Sequence, residues 1–287
     1  MILSVGEILV DMIQDGDNYR RYLGGAPFNM SVYAKRAGAK VGFVGRVGND
    51  SFGKFLKDKA KAFNLDKLSI QTDEKRNTTL AFVFLENGER DFSFYRSDTA
   101  DYNINIEEID FSTFESLNIV HLGSLMLSTS QGALVANQIV EKVKSNKLKL
   151  SFDVNFRSDI FRNFEKAKAI YSSFLDNADI LKFSKDEILA FANAKTLDDA
   201  VCYFAKKDRL LVVTMGEDGS MCNYNGKTFV EESKKVTPID TTGAGDAFFG
   251  TFLANIEGKV LTEEIIRQAL KNANEVGAKT TLHYGEI

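Results

Sequence analysis

Short apolar runs alternate with longer amphipathic stretches along most of the chain. The apolar runs predict strands at residues 41–47, 118–122, 149–154, 179–183 and 209–215. A 3.6-residue periodicity predicts helices at 27–37, 50–63, 130–144, 164–175 and 185–192. The strands are apolar on both faces, as expected for strands that helices cover on two sides. We therefore predict an α/β fold with a mostly parallel central sheet between helical layers.

Two Asn-Gly pairs interrupt this alternation and predict hairpins, because both residue types tolerate positive φ. Asn87-Gly88 separates residues 78–86 from 91–96, and Asn225-Gly226 separates 221–224 from 227–230. The first hairpin, together with 18–23, predicts a small second sheet that acts as a lid. We place this lid roughly at 11–23 and 78–97, within one domain that spans 1–287. An antiparallel extension of the main sheet at its edge is the alternative.

Composition narrows the class of function. The net charge of −4 argues against a nucleic-acid partner, because such proteins need a basic face. Cys202 and Cys222 form no Cys/His cluster, so zinc is not expected, and so few cysteines favour a reducing compartment. The N-terminal stretch resembles a strand rather than a signal peptide, and no apolar run reaches the ~18 residues of a membrane span. We expect a cytoplasmic protein without a membrane partner.

A glycine-rich turn runs directly into an apolar helical stretch in the sequence DTTGAGDAF, residues 240–248. Its glycines let the backbone turn tightly and expose successive N–H groups. A helix N-terminus adds unpaired donors and partial positive charge, which suit a phosphate. Asp246 would lie in the first turn, beside that anion site. From spacing alone, an ordinary glycine-rich turn with Asp246 as a dipole-favoured acid is an equal alternative, and neither the Walker A nor the GxGxxG pattern is present.

Two segments resemble the signatures of the ribokinase-like (PfkB) carbohydrate kinases. Residues 240–250 are similar to the second signature, while GGAPFN at 24–29 and VGFVGRVGND at 41–50 are similar to the first. The likeness extends over essentially the whole chain, with the signatures in the family order. It implies the ribokinase-like three-layer α/β/α fold, and an ATP-dependent enzyme that uses Mg²⁺ to transfer the γ-phosphoryl group to a sugar hydroxyl.

The resemblance implies roles for individual residues. Asp246 would be the general base, and the amides of Gly243, Ala244, Gly245 and Asp246 would form the anion hole. The candidates for sugar contacts are Asp11, Gly24, Gly25, Asn29, Arg96 and Arg157. Glycines let the main chain approach a ligand closely, and Asn29 can hydrogen-bond hydroxyls. Taken alone, Asp11 would be a solvated turn acid and Arg96 a surface residue on an edge strand.

The nucleotide side of the predicted site is drawn from the second half of the chain. The resemblance suggests Asn155, Ser184, Thr214, Gly216, Gly219 and Asn274 near the nucleotide. It also implies that Glu187 organises Mg²⁺ through water, and that Asp240 and Thr242 contribute to a K⁺ site found in many relatives. Ser184 stands where the family usually has asparagine. Ser184 and Glu187 also fit a capping box, and both interpretations can hold together.

The first signature looks like the fructokinase form, because ribokinases usually carry lysine after the two glycines. Residues 79–83 and 88–96 also resemble fructokinases, which indicates fructose as the substrate and fructose 6-phosphate as the product. Kinases of 2-keto-3-deoxygluconate share much of this pattern, and Arg96 and Arg157 would suit the carboxylate of that acid.

Two alternatives to a sugar kinase and one mode of assembly remain to be weighed. A catalytically silent sugar or nucleotide sensor on the same fold is the non-enzyme alternative, since a fold does not determine function. The absence of GxGxxG after the first strand disfavours a nicotinamide-dependent oxidoreductase. Leu80, Phe82 and Phe84 alternate along one predicted strand, and such an apolar face would suit a homodimer through the lid or would simply cover the sugar.

Overall fold

The apolar runs form the strands of two separate sheets. The computed structural model describes residues 1–86, 89–161, 163–282 and 287. Of these residues, only 85, 86 and 89–91 are described without their side chains. Within these ranges the strands, in chain order, are β1 (Ile2–Val5), β2 (Leu9–Asp15), β3 (Asn18–Gly24), β4 (Val41–Gly48), β5 (Lys67–Asp73), β6 (Leu80–Glu86), β7 (Glu89–Tyr95), β8 (Ile119–Leu122), β9 (Lys149–Asp153), β10 (Ile180–Ser184), β11 (Leu210–Thr214), β12 (Ser220–Tyr224) and β13 (Lys227–Glu231).

The amphipathic stretches form the helices. In the same ranges these are α1 (Ala26–Arg36), α2 (Ser51–Lys61), α3 (Ser130–Ser145), α4 (Ser158–Phe161), α5 (Phe164–Asn177), α6 (Lys185–Ala192), α7 (Leu197–Phe204), α8 (Ala244–Ile256) and α9 (Glu263–Thr280). Polar caps define where several begin: Asp50, for example, accepts hydrogen bonds from the amides of Phe52 and Gly53 at the start of α2. The predicted helices and strands are confirmed to within a few residues at their ends.

The described part of the central sheet has the strand order β13-β12-β11-β10-β9-β8-β1-β4-β5. The seven strands of this order from β11 through β1 to β5 pair in parallel, and β12 and β13 add an antiparallel edge. This confirms the predicted mostly parallel sheet. Because β1, β8, β9 and β10 point the same way, their carboxyl ends meet along one edge of the sheet, where ligands bind in folds of this kind.

Helices cover both faces of the central sheet. On one face α3, α5, α6 and α7 pack over the strands with side chains such as Tyr171 and Phe174. On the other face α1, α8 and α9 contribute side chains such as Phe249 and Leu270. The layers therefore follow the predicted α/β/α order. Among the described helices, none combines the length and hydrophobicity that a membrane crossing requires.

The small sheet (β3, β2, β6 and β7, in that order) is separate from the central one. The pairs β2–β3 and β6–β7 are antiparallel, while β2 and β6 are parallel. The predicted second sheet is thus confirmed, and the alternative of an edge extension is wrong. The predicted Asn87-Gly88 turn lies outside the described residues, although the flanking strands pair as a hairpin would require.

Candidate active site

Asp246 and Asn29 bring the two glycine-containing segments together. Asp246 lies in the first turn of α8, and its Oδ2 accepts a hydrogen bond of 3.1 Å from Nδ2 of Asn29 in α1. Asn29 is fully buried. The two helices can approach closely because position 250 has no side chain: a Cβ there would lie 2.3 Å from the carbonyl oxygen of Met30.

Asp246 borders a pocket at the carboxyl ends of β8 and β9. The other residues that line this pocket include Ala26, Pro27, His121, Ser124, Asp153 and Asn155. Asn155 therefore lies in the same pocket as Asp246. It has a φ of 34°, and its carbonyl oxygen is 3.5 Å from the hydroxyl of Ser124, which donates to it.

The turn before α8 is held by its own polar groups. Gly243 is the N-cap, with a left-handed φ of 74° that glycine adopts without strain. The amide of Thr242 donates to Oδ1 of Asp240 at 3.0 Å, and the amide of Ala244 donates to the Thr241 carbonyl at 3.3 Å. Of the four amides predicted to receive an anion, that of Ala244 thus already closes the turn.

Asp240 is buried, and its carboxylate stabilises this turn. Within the described ranges, no group of three or more His, Cys, Asp or Glu side chains is arranged to hold a metal ion. The K⁺ site assigned to Asp240 and Thr242 therefore stays a prediction.

Packing explains why positions 24 and 25 are glycine, and the sequence did not reveal this. A Cβ at Gly24 would lie 1.8 Å from Oδ2 of Asp11, so the glycine makes room for that carboxylate. Gly25 has a φ of 116°, and a Cβ there would lie 2.5 Å from the carbonyl oxygen of Glu7. Asp11 is buried in β2, not a solvated turn acid as its sequence position alone suggested.

Arg96 is anchored rather than exposed. Its guanidinium pairs with Asp101 at 2.7 Å and donates to the hydroxyl of Ser128, and it lies over the ring of Tyr102 at 4.7 Å. Only 5% of the Arg96 side chain is exposed. The alternative of a surface arginine is therefore wrong. The guanidinium of Arg157 lies 5.8 Å from the ring centroid of Phe92 in the small sheet.

Ser184 and Glu187 form the predicted capping box at the start of α6. The Ser184 amide donates to Oε2 of Glu187 at 2.7 Å, and the Glu187 amide donates to the Ser184 hydroxyl at 3.3 Å. Oε1 of Glu187 also accepts the amide of Phe156 at 2.6 Å. Both carboxylate oxygens thus accept hydrogen bonds from backbone amides, and Glu187 connects the segment after β9 to α6.

The remaining nucleotide candidates have structural contacts of their own. The hydroxyl of Thr214 is 3.4 Å from the carbonyl oxygen of Phe183. Gly216 and Gly219 both have positive φ, and they begin and follow a short 3₁₀ turn after β11. The amide of Asn274 donates to the carbonyl oxygens of Glu231 and Glu232 at 2.8 and 3.3 Å. Asn274 therefore connects α9 to the end of β13.

Sequence reasoning did not single out a buried ion pair beside this site. Nζ of Lys182 in β10 donates to both carboxylate oxygens of Asp153, at 3.0 and 2.8 Å. Burial acts to lower the pKa of Lys182, but the negative charges of Asp153 and Glu187 together outweigh it, so that pKa lies above its ordinary value. A lysine within an otherwise apolar strand was the signal that could have revealed the pair.

Glu7 and His121 are two further buried titratable residues that were not predicted. Burial raises the pKa of Glu7 to about 7, against the opposing effects of Arg96 and Arg157. Burial lowers the pKa of His121 to about 3, and the nearby Lys182 cation acts in the same direction. Near neutral pH the imidazole of His121 is therefore uncharged, whereas Glu7 titrates.

A three-layer α/β body, a separate small sheet and a carboxylate in the first turn of a helix define the class of small-molecule kinases with the ribokinase-like fold. The model of the pfkB family of carbohydrate kinases matches residues 1–287. The chain belongs to this family and is a carbohydrate kinase.

Similar proteins include several fructokinases. The Arabidopsis thaliana protein named "Probable fructokinase-2" is 34% identical over 100% of this chain and 92% of its own length. The structure of a Xylella fastidiosa fructokinase with bound ATP has a TM-score of 0.90 at 30% identity, covering 99% of this chain and 93% of that one. A Vibrio cholerae O395 fructokinase, a double mutant with fructose, ADP and potassium bound, has a TM-score of 0.89 at 28% identity, with coverages of 99% and 93%.

Proposed function

We propose that this carbohydrate kinase transfers the γ-phosphoryl group of ATP to fructose, giving fructose 6-phosphate. The observation that carries the proposal is the Asn29–Asp246 hydrogen bond of 3.1 Å at the edge of a pocket. It joins a carboxylate at a helix N-terminus to a buried amide from the segment resembling the fructokinase form. Fructokinases among the similar proteins support the choice of sugar.

Asp246 is the general base in this proposal. The amide of Asn29 holds one carboxylate oxygen in place, so the carboxylate keeps one orientation toward the attacking hydroxyl. General-base catalysis typically contributes ~10²–10⁴-fold in rate. A carboxylate that is already oriented also avoids the entropic cost of finding its position during the reaction.

The first turn of α8 receives the negative charge of the moving phosphoryl group. Phosphoryl transfer depends mainly on positioning and charge stabilisation. The amides of Gly243, Gly245 and Asp246 contribute, together with the partial positive charge of the helix end. Ala244 plays a smaller part than the resemblance implied, because its amide bonds to Thr241.

The small sheet is the lid of one domain spanning residues 1–287, and it supplies sugar contacts. Asp11 lies in β2, where Gly24 makes room for its carboxylate. Arg96 contributes from a fixed position, because Asp101 holds its guanidinium. Arg157, over Phe92, approaches from the α/β body. Closure of this sheet would exclude water, the nucleophile that competes with the sugar hydroxyl.

The nucleotide is assigned to the side of the pocket opposite the sugar. Asn155 borders the pocket, and the candidates Ser184, Thr214, Gly216, Gly219 and Asn274 follow from the family resemblance. Glu187 fits an outer-sphere role, since both its oxygens accept backbone amides and water would carry the contact to Mg²⁺. Mg²⁺ supplies positive charge to the ATP phosphates. Asp240 and Thr242 would contribute to a K⁺ site.

A panel of acceptors in a coupled ADP-release assay tests the proposed substrate. Fructose should be phosphorylated far faster than ribose, adenosine or 2-keto-3-deoxygluconate. Faster turnover of 2-keto-3-deoxygluconate would overturn the choice of fructose and favour the acid, with Arg96 and Arg157 as partners of its carboxylate. Binding of fructose and ATP without ADP release would instead support a silent sensor.

A homodimer through the small sheet is a further part of the proposal. The ring of Phe82 contacts the rings of Tyr19 and Tyr95 edge to face, and 64% of Tyr95 is exposed. Light scattering coupled to gel filtration should give twice the chain mass of 32.0 kDa. The variant Tyr95→Asp should shift this towards the monomer, whereas a wild-type monomer would exclude the dimer.

A further inference from the structure

Lys182 and Asp153 form a buried ion pair at the carboxyl edge of the central sheet. They are register partners on the neighbouring strands β10 and β9. Their side chains are 6% and 9% exposed, and Nζ lies 3.0 and 2.8 Å from the two carboxylate oxygens. Burying two charges carries a desolvation cost that their attraction often only balances. Fold stability alone is therefore a weak reason for this pair.

The cation of this pair points to the first turn of α8. A Cβ on Gly245 would lie 3.5 Å from Nζ of Lys182, so the ammonium group is next to that turn. The negative charge of Asp246 is one of the influences that favour the charged form of Lys182. The negative charge of Glu187 acts on Lys182 in the same direction, and His121 is neutral near pH 7.

The geometry of the pair determines which of its two charges acts on α8. Both carboxylate oxygens of Asp153 hold Nζ, and Nζ rather than the carboxylate is the group nearest to Gly245, so the positive end of the pair is next to the helix. In a site with little water, a charge at this range acts more strongly than it would at the surface.

We propose that Lys182, positioned by Asp153, supplies a fixed positive charge to the first turn of α8 that stabilises the phosphoryl group during transfer. This deepens the proposed function and depends on it. Asp153 is a positioning residue, because it acts through Lys182. The amides of the turn and the lysine would then act on the same negative charge.

The variant Lys182→Met tests this inference. We expect kcat with fructose to fall about 10²-fold, a loss typical of removing one stabilising donor. The KM for fructose and the Kd for ADP should stay within about threefold, since the charge matters most in the transition state. Binding of ADP with aluminium fluoride and fructose, which mimics the transferring phosphoryl group, should weaken by a factor similar to the loss in kcat.

Lys182→Met leaves the Asp153 carboxylate buried without its partner, which endangers folding. The double variant Lys182→Met/Asp153→Asn avoids this and should show the same losses in kcat and in aluminium fluoride binding. Arg209→Met is the matched control for removal of a buried cation. Arg209 donates to the carbonyl oxygens of Ala178, Phe204 and Asp176 at the amino-terminal side of β11.

The control should lose thermal stability and keep kcat. Unchanged kcat and unchanged aluminium fluoride binding in the folded Lys182 variants would overturn the inference. So would equal weakening of ADP and of ADP with aluminium fluoride, which indicates a structural role. If the wild type turns over other sugars but not fructose, the same comparison with the accepted sugar decides the role of Lys182. If it phosphorylates no sugar, the proposed function and this inference both fail.

Discussion

Asn29 donates a hydrogen bond to Asp246 although 217 positions separate the two residues in the chain. The contact exists because α1 and α8 pack closely, with Gly250 against the backbone at Met30. Asn29 is buried, so its amide cannot turn to solvent. A carboxylate with one oxygen held in this way has a defined direction in which it can accept a proton.

The first prediction concerns Asp246 as the proposed base. Asp246→Asn should preserve the fold and the affinities for fructose and ATP, because asparagine has the same shape and can still hydrogen-bond Asn29. It should reduce kcat by about 10²–10⁴-fold, because the amide cannot accept the proton. Single-turnover kinetics with isothermal titration of both ligands checks this. Near-wild-type turnover in Asp246→Asn would remove Asp246 from the role of base.

The second prediction concerns the pH dependence of stability through Glu7. Its pKa rises from 4.5 to about 7 in the folded protein because of burial. Below pH 4.5 the carboxyl is protonated in both states, and no penalty arises. Between pH 4.5 and 7 the unfolded state ionises first, so stability falls, and the full penalty of about 3 kcal/mol applies above pH 7.

Glu7→Gln should therefore be more stable than the wild type at pH 8 and gain little at pH 4.5. Urea unfolding at both pH values measures the difference, with Glu232→Gln, at an exposed position, as the control. A gain for Glu7→Gln that is equal at the two pH values would show that titration of Glu7 is not its cause.

Periodic burial explains how much of the fold was predictable. Strands such as β8 and β11 are buried on both faces, so their apolar runs were visible in the sequence. The edge strand β5, with the sequence KLSIQTD, is largely half-buried, and its polar pattern gave no clear strand signal. The strand β2 was only partly recognised, because its later residues are half-buried or exposed.

The candidate site was predictable only where one continuous segment contains both the functional side chain and the backbone turn beside it. Asp246 belongs to a turn whose glycines and following helix are contiguous in sequence, and Asn29 has a similar setting. The partnership of Lys182 with Asp153 depends on the register of β10 against β9, which no local pattern encodes. The burial of Arg96 likewise depends on Ser128, a contact between separate elements.

The third prediction separates the capping role of Glu187 from its proposed role near Mg²⁺. Glu187→Gln places an amide where a carboxylate oxygen accepts a backbone N–H, and should cost about 1–2 kcal/mol of stability. If the proposed role is right, it should also raise the Mg²⁺ concentration needed for half-maximal turnover, because a charge near the metal is lost. Mg²⁺ titration of the initial rate, together with urea unfolding, measures both effects.

Thr196→Ala provides the matched control for this experiment. The Thr196 hydroxyl accepts the amide of Asp199 at 3.2 Å as the N-cap of α7, and its loss should cost about 1 kcal/mol. The control should leave the Mg²⁺ titration unchanged. If the titration curves of Glu187→Gln and the wild type coincide, Glu187 is a cap and has no part in organising the metal.

The last prediction concerns the space that Gly24 leaves for Asp11. A Cβ at position 24 would lie 1.8 Å from Oδ2 of Asp11, so Gly24→Ala must displace that carboxylate. Because Asp11 is proposed to accept hydrogen bonds from the sugar, KM for fructose should rise by at least about tenfold, the cost of one lost hydrogen bond to a charged group. The KM for ATP should change little.

Gly16→Asn, in the β2–β3 turn, is the control, since a Cβ there meets nothing within 4 Å and asparagine tolerates its φ of 62°. An unchanged KM for fructose in a folded Gly24→Ala variant would mean that Asp11 does not bind the sugar, whereas parallel losses for fructose and ATP would indicate that the small sheet as a whole is disturbed.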